Sequence, residues 1–226
     1  MIELPSYNNP PLKRHVNKEV EDLPSPMDPP EAYAPSNVGE ITAGELSAPL
    51  QSLIQDHEEF LKILTAFDRA LVELKERAWK FTPEISAVLK RFFQWTDEEM
   101  PRHSRKEEKA LFPILSEKFL ASGEHSPGAQ PVTPVDVMEA DHRTVELGVN
   151  LVFNLLGLAA RIKDAEARDL LFEHAFHQGQ EIVEVMKLHI YKENTTLFPL
   201  AQRLLSAEEM SVVERKMNFN TPILQT

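Results

Sequence analysis

One frame of residues with metal-binding chemistry occurs twice in the sequence. It reads His, three residues, Glu, three residues, then Leu-Phe-Pro, and it covers residues 103–113 (HSRKEEKALFP) and 189–199 (HIYKENTTLFP). Side chains four positions apart in an α-helix lie on the same face, about one turn apart. Imidazole nitrogen and carboxylate oxygen suit iron, manganese or zinc, whereas calcium and magnesium prefer oxygen alone. Each frame therefore predicts part of a metal site.

One further histidine precedes each frame at a similar distance. Asp-His occurs at 56–57 and again at 141–142, so that the two histidines lie 46 and 47 residues before the frames. Both fall within apolar stripes, which predicts that their imidazoles point into the core. Buried His and Glu side chains are costly unless they are paired or bound to a metal. A metal site, with a carboxylate from each frame able to bridge two ions, accounts for all six side chains: His57, His103, Glu107, His142, His189 and Glu193.

Helices are needed to position these side chains, and the first half of the sequence predicts two of them. Apolar residues at three- and four-residue steps indicate a helix from about residue 45 to beyond Leu71, with His57 on its apolar face. A second helix begins at the N-cap Thr82 with proline at its first position. Its stripe continues through the frame at 103–113 to Ile114.

The second half repeats this design after a loop at 121–134 (ASGEHSPGAQPVTP). A third helix begins at Thr133-Pro134 and carries His142, and Asp164 caps a fourth helix that carries the frame at 189–199. Ser-Ala-Glu-Glu at 206–209 has the spacing of a capping box and predicts a short fifth helix. The predicted fold is all-α, an antiparallel up-down-up-down four-helix bundle built from two repeated αα units.

The ends of the chain have a different composition. Residues 1–45 contain eight of the seventeen prolines and predict an extended proline-rich arm, because proline disrupts helix interiors. The predicted organisation is an arm at 1–45, the bundle at 46–205, and a short C-terminal helix and tail at 206–226.

Composition restricts the classes of function. The net charge of −12 argues against nonspecific binding to nucleic acid or to anionic membranes. The sequence has no run of eighteen apolar residues and no signal-peptide pattern at its N-terminus. With no cysteine, it offers no disulfide, thiolate nucleophile, iron–sulfur cluster or Cys-ligated zinc. We expect a cytoplasmic protein whose metal is held by His and carboxylate.

The order His, His-x-x-x-Glu, His, His-x-x-x-Glu on a repeated bundle resembles the hemerythrin-like family of His-His-Glu cation-binding domains. The resemblance covers about residues 45–205 and implies a non-haem di-iron site. It implies four terminal histidine ligands and two bridging glutamates, drawn from the six residues above. Manganese or zinc would also accept this mixture of His and carboxylate.

The third helix departs from the pattern of the oxygen-carrying hemerythrins, which have His-x-x-x-His there. This chain has His142-Arg-Thr-Val-Glu146. Glu146 is a possible metal ligand, a hydrogen-bond partner of a ligand, or a solvent-facing residue. Fewer nitrogen ligands favour the ferric state and leave more exchangeable positions. The pattern therefore favours redox turnover or sensing over reversible oxygen carriage.

The predicted function is that of a cytoplasmic di-iron protein that binds or reduces oxygen, nitric oxide or peroxide, with an unknown electron donor and a possible homodimer. One alternative is a non-enzymatic sensor of oxygen, iron or redox state, with the arm at 1–45 as its transducer. Another is an iron donor in the repair of damaged iron centres. The repair proteins of similar type carry a cysteine-containing N-terminal domain, and this sequence has no cysteine.

Several nearby residues are predicted to have no part in the site. Asp56 and Asp141 lie about 100° from the ligand face of their helices, a position that permits a hydrogen bond to a ligand but favours a surface role. Glu108 is expected to meet solvent. His174 and His177 lie roughly 18–22 Å along the helix from His189, which is too far to join it.

Leu-Phe-Pro, which ends both frames, is predicted to have no direct chemical role. Its Leu and Phe are interpreted as core residues. Pro113 and Pro199 are interpreted as kinks or helix ends.

Overall fold

The computed structural model describes residues 45–219, and within that range the chain is helical with short connections and contains no strand. The all-α prediction is confirmed. The predicted arm, except for residue 45, and the tail after residue 219 lie outside the described residues. None of the described helices is long and apolar enough to cross a membrane. The helices are α1 Ala48–Glu76, α2 Pro83–Glu98, α3 Met100–Lys106, α4 Phe112–Ser122, α5 Pro134–Ala159, α6 Ala165–Lys192, α7 Phe198–Leu204 and α8 Ala207–Phe219.

The predicted helix starts are formed by the expected capping residues. The Thr82 hydroxyl accepts a hydrogen bond from the backbone N–H of Ile85, at 3.2 Å. The Asp164 carboxylate accepts one from the N–H of residue 167, at 2.8 Å. Ser206 and Glu209 bond to each other's backbone N–H, at 2.8 and 3.2 Å. These bonds satisfy N–H groups that have no partner within the helix.

The second predicted helix is divided rather than continuous. It forms α2, a break at Glu99, α3, a π-helical turn at Glu107–Leu111 and then α4. Pro101 accounts for the break, because it has no N–H to donate to the carbonyl four residues earlier.

A second π-helical turn, Glu193–Leu197, lies between α6 and α7. In both turns the first residue is a candidate bridging glutamate, and its carbonyl accepts a hydrogen bond from the phenylalanine five residues later. Pro113 and Pro199 follow these phenylalanines and lie at the start of α4 and α7. The interpretation of these prolines as helix ends is therefore wrong. Each removes one donor of the α-helical pattern, and the helix continues after a turn with wider spacing.

The long helices pack so that the apolar core lies on both sides of the candidate ligands. α5 packs against α6, and α1 packs against α2 and α6. The α1–α6 contact is close, because a β-carbon at Gly179 would collide with the side chain of Leu71. One core cluster includes Leu50, Leu53, Phe112, Phe119, Met138 and Phe198. The other includes Phe60, Phe67, Phe92, Val145, Met186 and Ile190.

Candidate metal centre

The structure brings all six predicted ligands together between the two core clusters. They form two groups in which the candidate ligand atoms lie within 4.8 Å of one another. The first position lies among His57, His103, Glu107 and Glu193. The second position lies among His142, His189, Glu107 and Glu193.

Glu107 and Glu193 are fully buried and belong to both positions. Glu107 Oε1 lies 3.3 Å from Nε2 of His103, and its Oε2 lies 3.4 Å from Nε2 of His142. Glu193 Oε2 lies 3.2 Å from Nε2 of both His57 and His189. Each carboxylate therefore lies between a histidine of one αα unit and a histidine of the other, as a bridging ligand must.

The hydrogen bonding of this cluster is incomplete in a way that fits a metal. All four carboxylate oxygens of Glu107 and Glu193 are buried without a hydrogen-bond partner, although histidine nitrogens lie 3.2–3.4 Å away. The histidines face each other in pairs, with Nε2 to Nε2 distances of 3.0 Å for His57 and His103 and 3.2 Å for His142 and His189. Buried carboxylates normally have partners. A cation at each position would satisfy oxygens and nitrogens together, so the residues fit a metal pair.

Protons compete for the same atoms. Burial by itself would lower the pKa of His103, but the Glu107 and Asp56 carboxylates raise that pKa to about 10. The pKa of His189 is likewise raised to about 10, against the effect of burial, by Glu193 and Asp141. Burial would raise the pKa of Glu107, yet His103 and His142 hold it well below its ordinary value. The metal-free cluster therefore holds protons on imidazoles at neutral pH.

We expect metal binding to release protons. At pH 7, His103 and His189 carry protons in the metal-free protein, and Nε2 must lose its proton to coordinate an ion. Adding metal to weakly buffered apoprotein should release about two protons per chain from these histidines and a further fraction from His142, whose pKa is raised by Glu107 and Glu108 against the effect of burial. Affinity should rise with pH between 6 and 8. Calorimetry in buffers of different ionisation enthalpy measures the number. Proton uptake, or tighter binding at pH 6 than at pH 8, would contradict this assignment.

The Nδ1 atoms of the histidines face polar side chains from neighbouring helical segments. Such contacts fix the ring orientation and leave Nε2 for the metal. His189 is the exception. Its Nδ1 has no hydrogen bond, because the nearest carboxylate oxygen, from Asp141, lies slightly too far away to accept one. The contacts are His57 to Asn194 Oδ1 at 2.8 Å, His103 to Asp56 Oδ2 at 3.2 Å, His142 to Glu108 Oε1 at 2.9 Å, and His189 to Asp141 Oδ2 at 3.5 Å.

Three expectations from the sequence are corrected by these contacts. Asp56 does not have a mere surface role, because it binds both His103 and Lys106. Asp141 lies against His189, and Glu108 binds His142 rather than meeting only solvent. Each of these side chains lies about 100° around its own helix from the ligand face and therefore points towards a neighbouring helix. The residue that it meets there cannot be predicted from one helix alone.

The end of each repeated frame supports the lone histidine of the other αα unit. Glu108 and Phe112 contact His142, and the Phe112 ring is stacked on the imidazole with centroids 6.2 Å apart. At the corresponding positions, Asn194 and Phe198 contact His57, with ring centroids 5.7 Å apart. The phenylalanines of Leu-Phe-Pro are core residues, as predicted, and they also orient imidazoles. The sequence signal for this role was the occurrence of phenylalanine five residues after both glutamates.

Among the described residues, His125, His174, His177 and Glu146 lie outside both groups. His174 and His177 are exposed on α6. Glu146 is also exposed, and it lines an open cleft together with Glu108 and His142. Its role as a ligand or as a hydrogen-bond partner stays a prediction.

A small enclosed cavity adjoins the four histidines. Its volume is about 20 Å³, which is close to the space that one water molecule needs. Apart from the histidines, its walls are mainly apolar and include Phe60, Trp95, Met100, Val145 and Met186. An open cleft of about 580 Å³ adjoins it on the side of Asp56, His103 and Lys106.

The fold and the His/Glu cluster agree with a comparison of the sequence with protein families. The family model described as the Hemerythrin HHE cation binding domain matches residues 48–201, and the chain belongs to this family. Similar curated proteins include the iron-sulfur cluster repair protein YtfE of Cronobacter sakazakii, 27% identical over 126 residues, which are 56% of this chain and 52% of that protein. YtfE of Yersinia pestis is 29% identical over 120 residues, or 53% of this chain and 46% of that protein. The chain thus spans about half the length of the curated relatives it matches.

Proposed function

We propose that the chain forms an up-down-up-down four-helix bundle that holds two non-haem iron ions. His57 and His103 are the terminal ligands of the first position, and His142 and His189 those of the second. Glu107 and Glu193 bridge the ions. The observation that carries the proposal is the set of four buried carboxylate oxygens without hydrogen bonds among four imidazole nitrogens. Manganese or zinc would use the same donors.

The centre binds or reduces a small ligand such as oxygen, nitric oxide or peroxide. The support is the cavity of about 20 Å³ beside the histidines, which limits the ligand to very few heavy atoms. Two adjacent iron ions supply one-electron redox steps and exchangeable coordination positions. The protein supplies apolar walls that exclude bulk water, from residues such as Phe60, Trp95 and Met186. The proposed setting is the cytoplasm, with an electron donor yet to be identified.

Metal analysis combined with optical spectroscopy tests this function. Apoprotein loaded anaerobically with ferrous iron should retain two ions per chain. Exposure to oxygen, nitric oxide or peroxide should then produce new absorption bands in the near-ultraviolet or visible range. Zinc-loaded protein is the matched control, because zinc has no redox chemistry. Failure to retain iron, or iron-loaded protein whose spectrum is unchanged by all three ligands, would contradict the proposal.

A second candidate function is iron donation in the repair of damaged iron–sulfur clusters. The names of the relatives YtfE support it, over about half of their length. Reduced, iron-loaded protein incubated with an apo-cluster protein and sulfide should restore the cluster faster than the same amount of free ferrous iron. Equal rates would exclude a donor role.

A further inference from the structure

The two metal positions differ in the side chains that support their histidines. The residue after each bridging glutamate binds Nδ1 of a lone histidine, and the two residues differ in charge. For the second position it is Glu108, which accepts from His142 at 2.9 Å. For the first position it is Asn194, which accepts from His57 at 2.8 Å. A carboxylate acceptor makes an imidazole a stronger ligand than a neutral amide does, and it adds a negative charge near the ion.

The aspartates before the lone histidines add to this difference in charge, although only Asp56 makes a hydrogen bond to its histidine. Asp56 contacts His103 of the first position, but Lys106 binds the same oxygen at 2.7 Å and offsets its charge. Asp141 lies 3.5 Å from His189 of the second position. Lys192 corresponds to Lys106 in the second frame, yet no lysine or arginine of residues 45–219 pairs with Asp141.

We propose that the second position, between His142 and His189, holds its ion more tightly than the first, between His57 and His103. The inference rests on the proposed di-metal function and adds an order of loading and release to it. The second position receives the charges of Glu108 and Asp141, and the first receives one aspartate charge offset by Lys106. The ion of the first position is therefore the exchangeable one.

Anaerobic ferrous titration of metal-free full-length protein, followed by calorimetry, gives the two stepwise association constants. In the wild type, the ratio of these constants should exceed the statistical ratio for identical sites by roughly 10-fold or more, the size of effect that such supporting residues have. Glu108→Gln should lower the tighter constant, and Asn194→Asp should raise the weaker one. Both variants should therefore lower the ratio of the tighter association constant to the weaker one. Glu108→Gln removes a negative charge and Asn194→Asp adds one, with little change in side-chain size and at corresponding positions. Each variant therefore serves as the control for the other.

The outcomes separate the inference from the function on which it rests. Two ions bound with the statistical ratio, or a ratio widened by either variant, would overturn the inference and leave the di-metal centre intact. Failure of the wild type to bind two ions would instead overturn the proposed function. If either variant does not fold, Lys106→Met provides the test from a partly exposed site. It should raise the weaker constant, and an unchanged or widened ratio would overturn the inference.

Discussion

Replacing His189 with alanine is expected to reduce the iron content from two ions per chain to one at most. His189 is 1% exposed, and its Nε2 lies 3.2 Å from both Glu193 and His142. Its loss removes a proposed terminal ligand from the second position and leaves the Glu193 carboxylate without one of its two histidine neighbours. Loss of a terminal ligand weakens binding by much more than the 10–100-fold that supporting residues contribute. Elemental analysis of protein loaded with iron and then desalted measures the effect.

A matched control lies on the same helix. His174→Ala changes the same residue type on α6, but at an exposed position outside both groups, so iron content should stay at two. We expect His103→Ala to lower the iron content as His189→Ala does, because it removes a proposed terminal ligand from the first position. Full iron content in His103→Ala and His189→Ala, or loss of iron in His174→Ala, would refute the assignment of the centre.

Removal of the metal is expected to lower the melting temperature strongly. Without ions, the oxygens of Glu107 and Glu193 remain buried without hydrogen bonds, and the binding free energy no longer favours the folded state. An ion at roughly a thousand times its Kd stabilises by about 4 kcal/mol. Each kcal/mol raises Tm by about 2–4 °C in a chain of this size. Two ions should therefore raise Tm by about 15–30 °C, as measured by calorimetry on chelated and reloaded samples.

The double variant His103→Ala, His189→Ala is the control for this prediction. It lacks a proposed terminal ligand at each position, so the addition of iron should leave its melting temperature nearly unchanged. Wild-type protein with the same melting temperature before and after chelation would contradict a structural contribution of the metal. An equal shift in the double variant would instead point to iron binding elsewhere on the chain.

The sequence predicted the helices and the six candidate ligands because, in a helix, the number of residues between two side chains determines whether they lie on the same face. His103 and Glu107, four positions apart, share one face, and His57 and His142 were recognisable as single polar residues in apolar stripes. Capping residues likewise predicted the starts of α2, α5 and α6, although for a different reason. They act on backbone groups only a few residues away, so no knowledge of the tertiary structure was needed.

Contacts between helices could not be predicted in this way. Glu108 was expected to face solvent, and Asn194 had no assigned role, because only the neighbouring helix determines what their side chains meet. The π-helical turns after Glu107 and Glu193 were also missed. Proline indicates that a hydrogen bond is lost, but whether the helix then ends, bends or widens depends on the packing around it.

The exchange of supporting residues between the two αα units has a consequence for the origin of this chain. Each unit supplies the polar side chain and the phenylalanine that orient the lone histidine of the other, through Glu108 and Phe112 or through Asn194 and Phe198. Reciprocal contacts of this kind are those of a two-fold symmetric dimer, in which each subunit provides what its partner requires. A gene for a single αα unit could thus have formed a whole centre by self-association. Because both units now lie in one chain, their sequences need not be identical, and Glu108 and Asn194 are corresponding positions at which they differ.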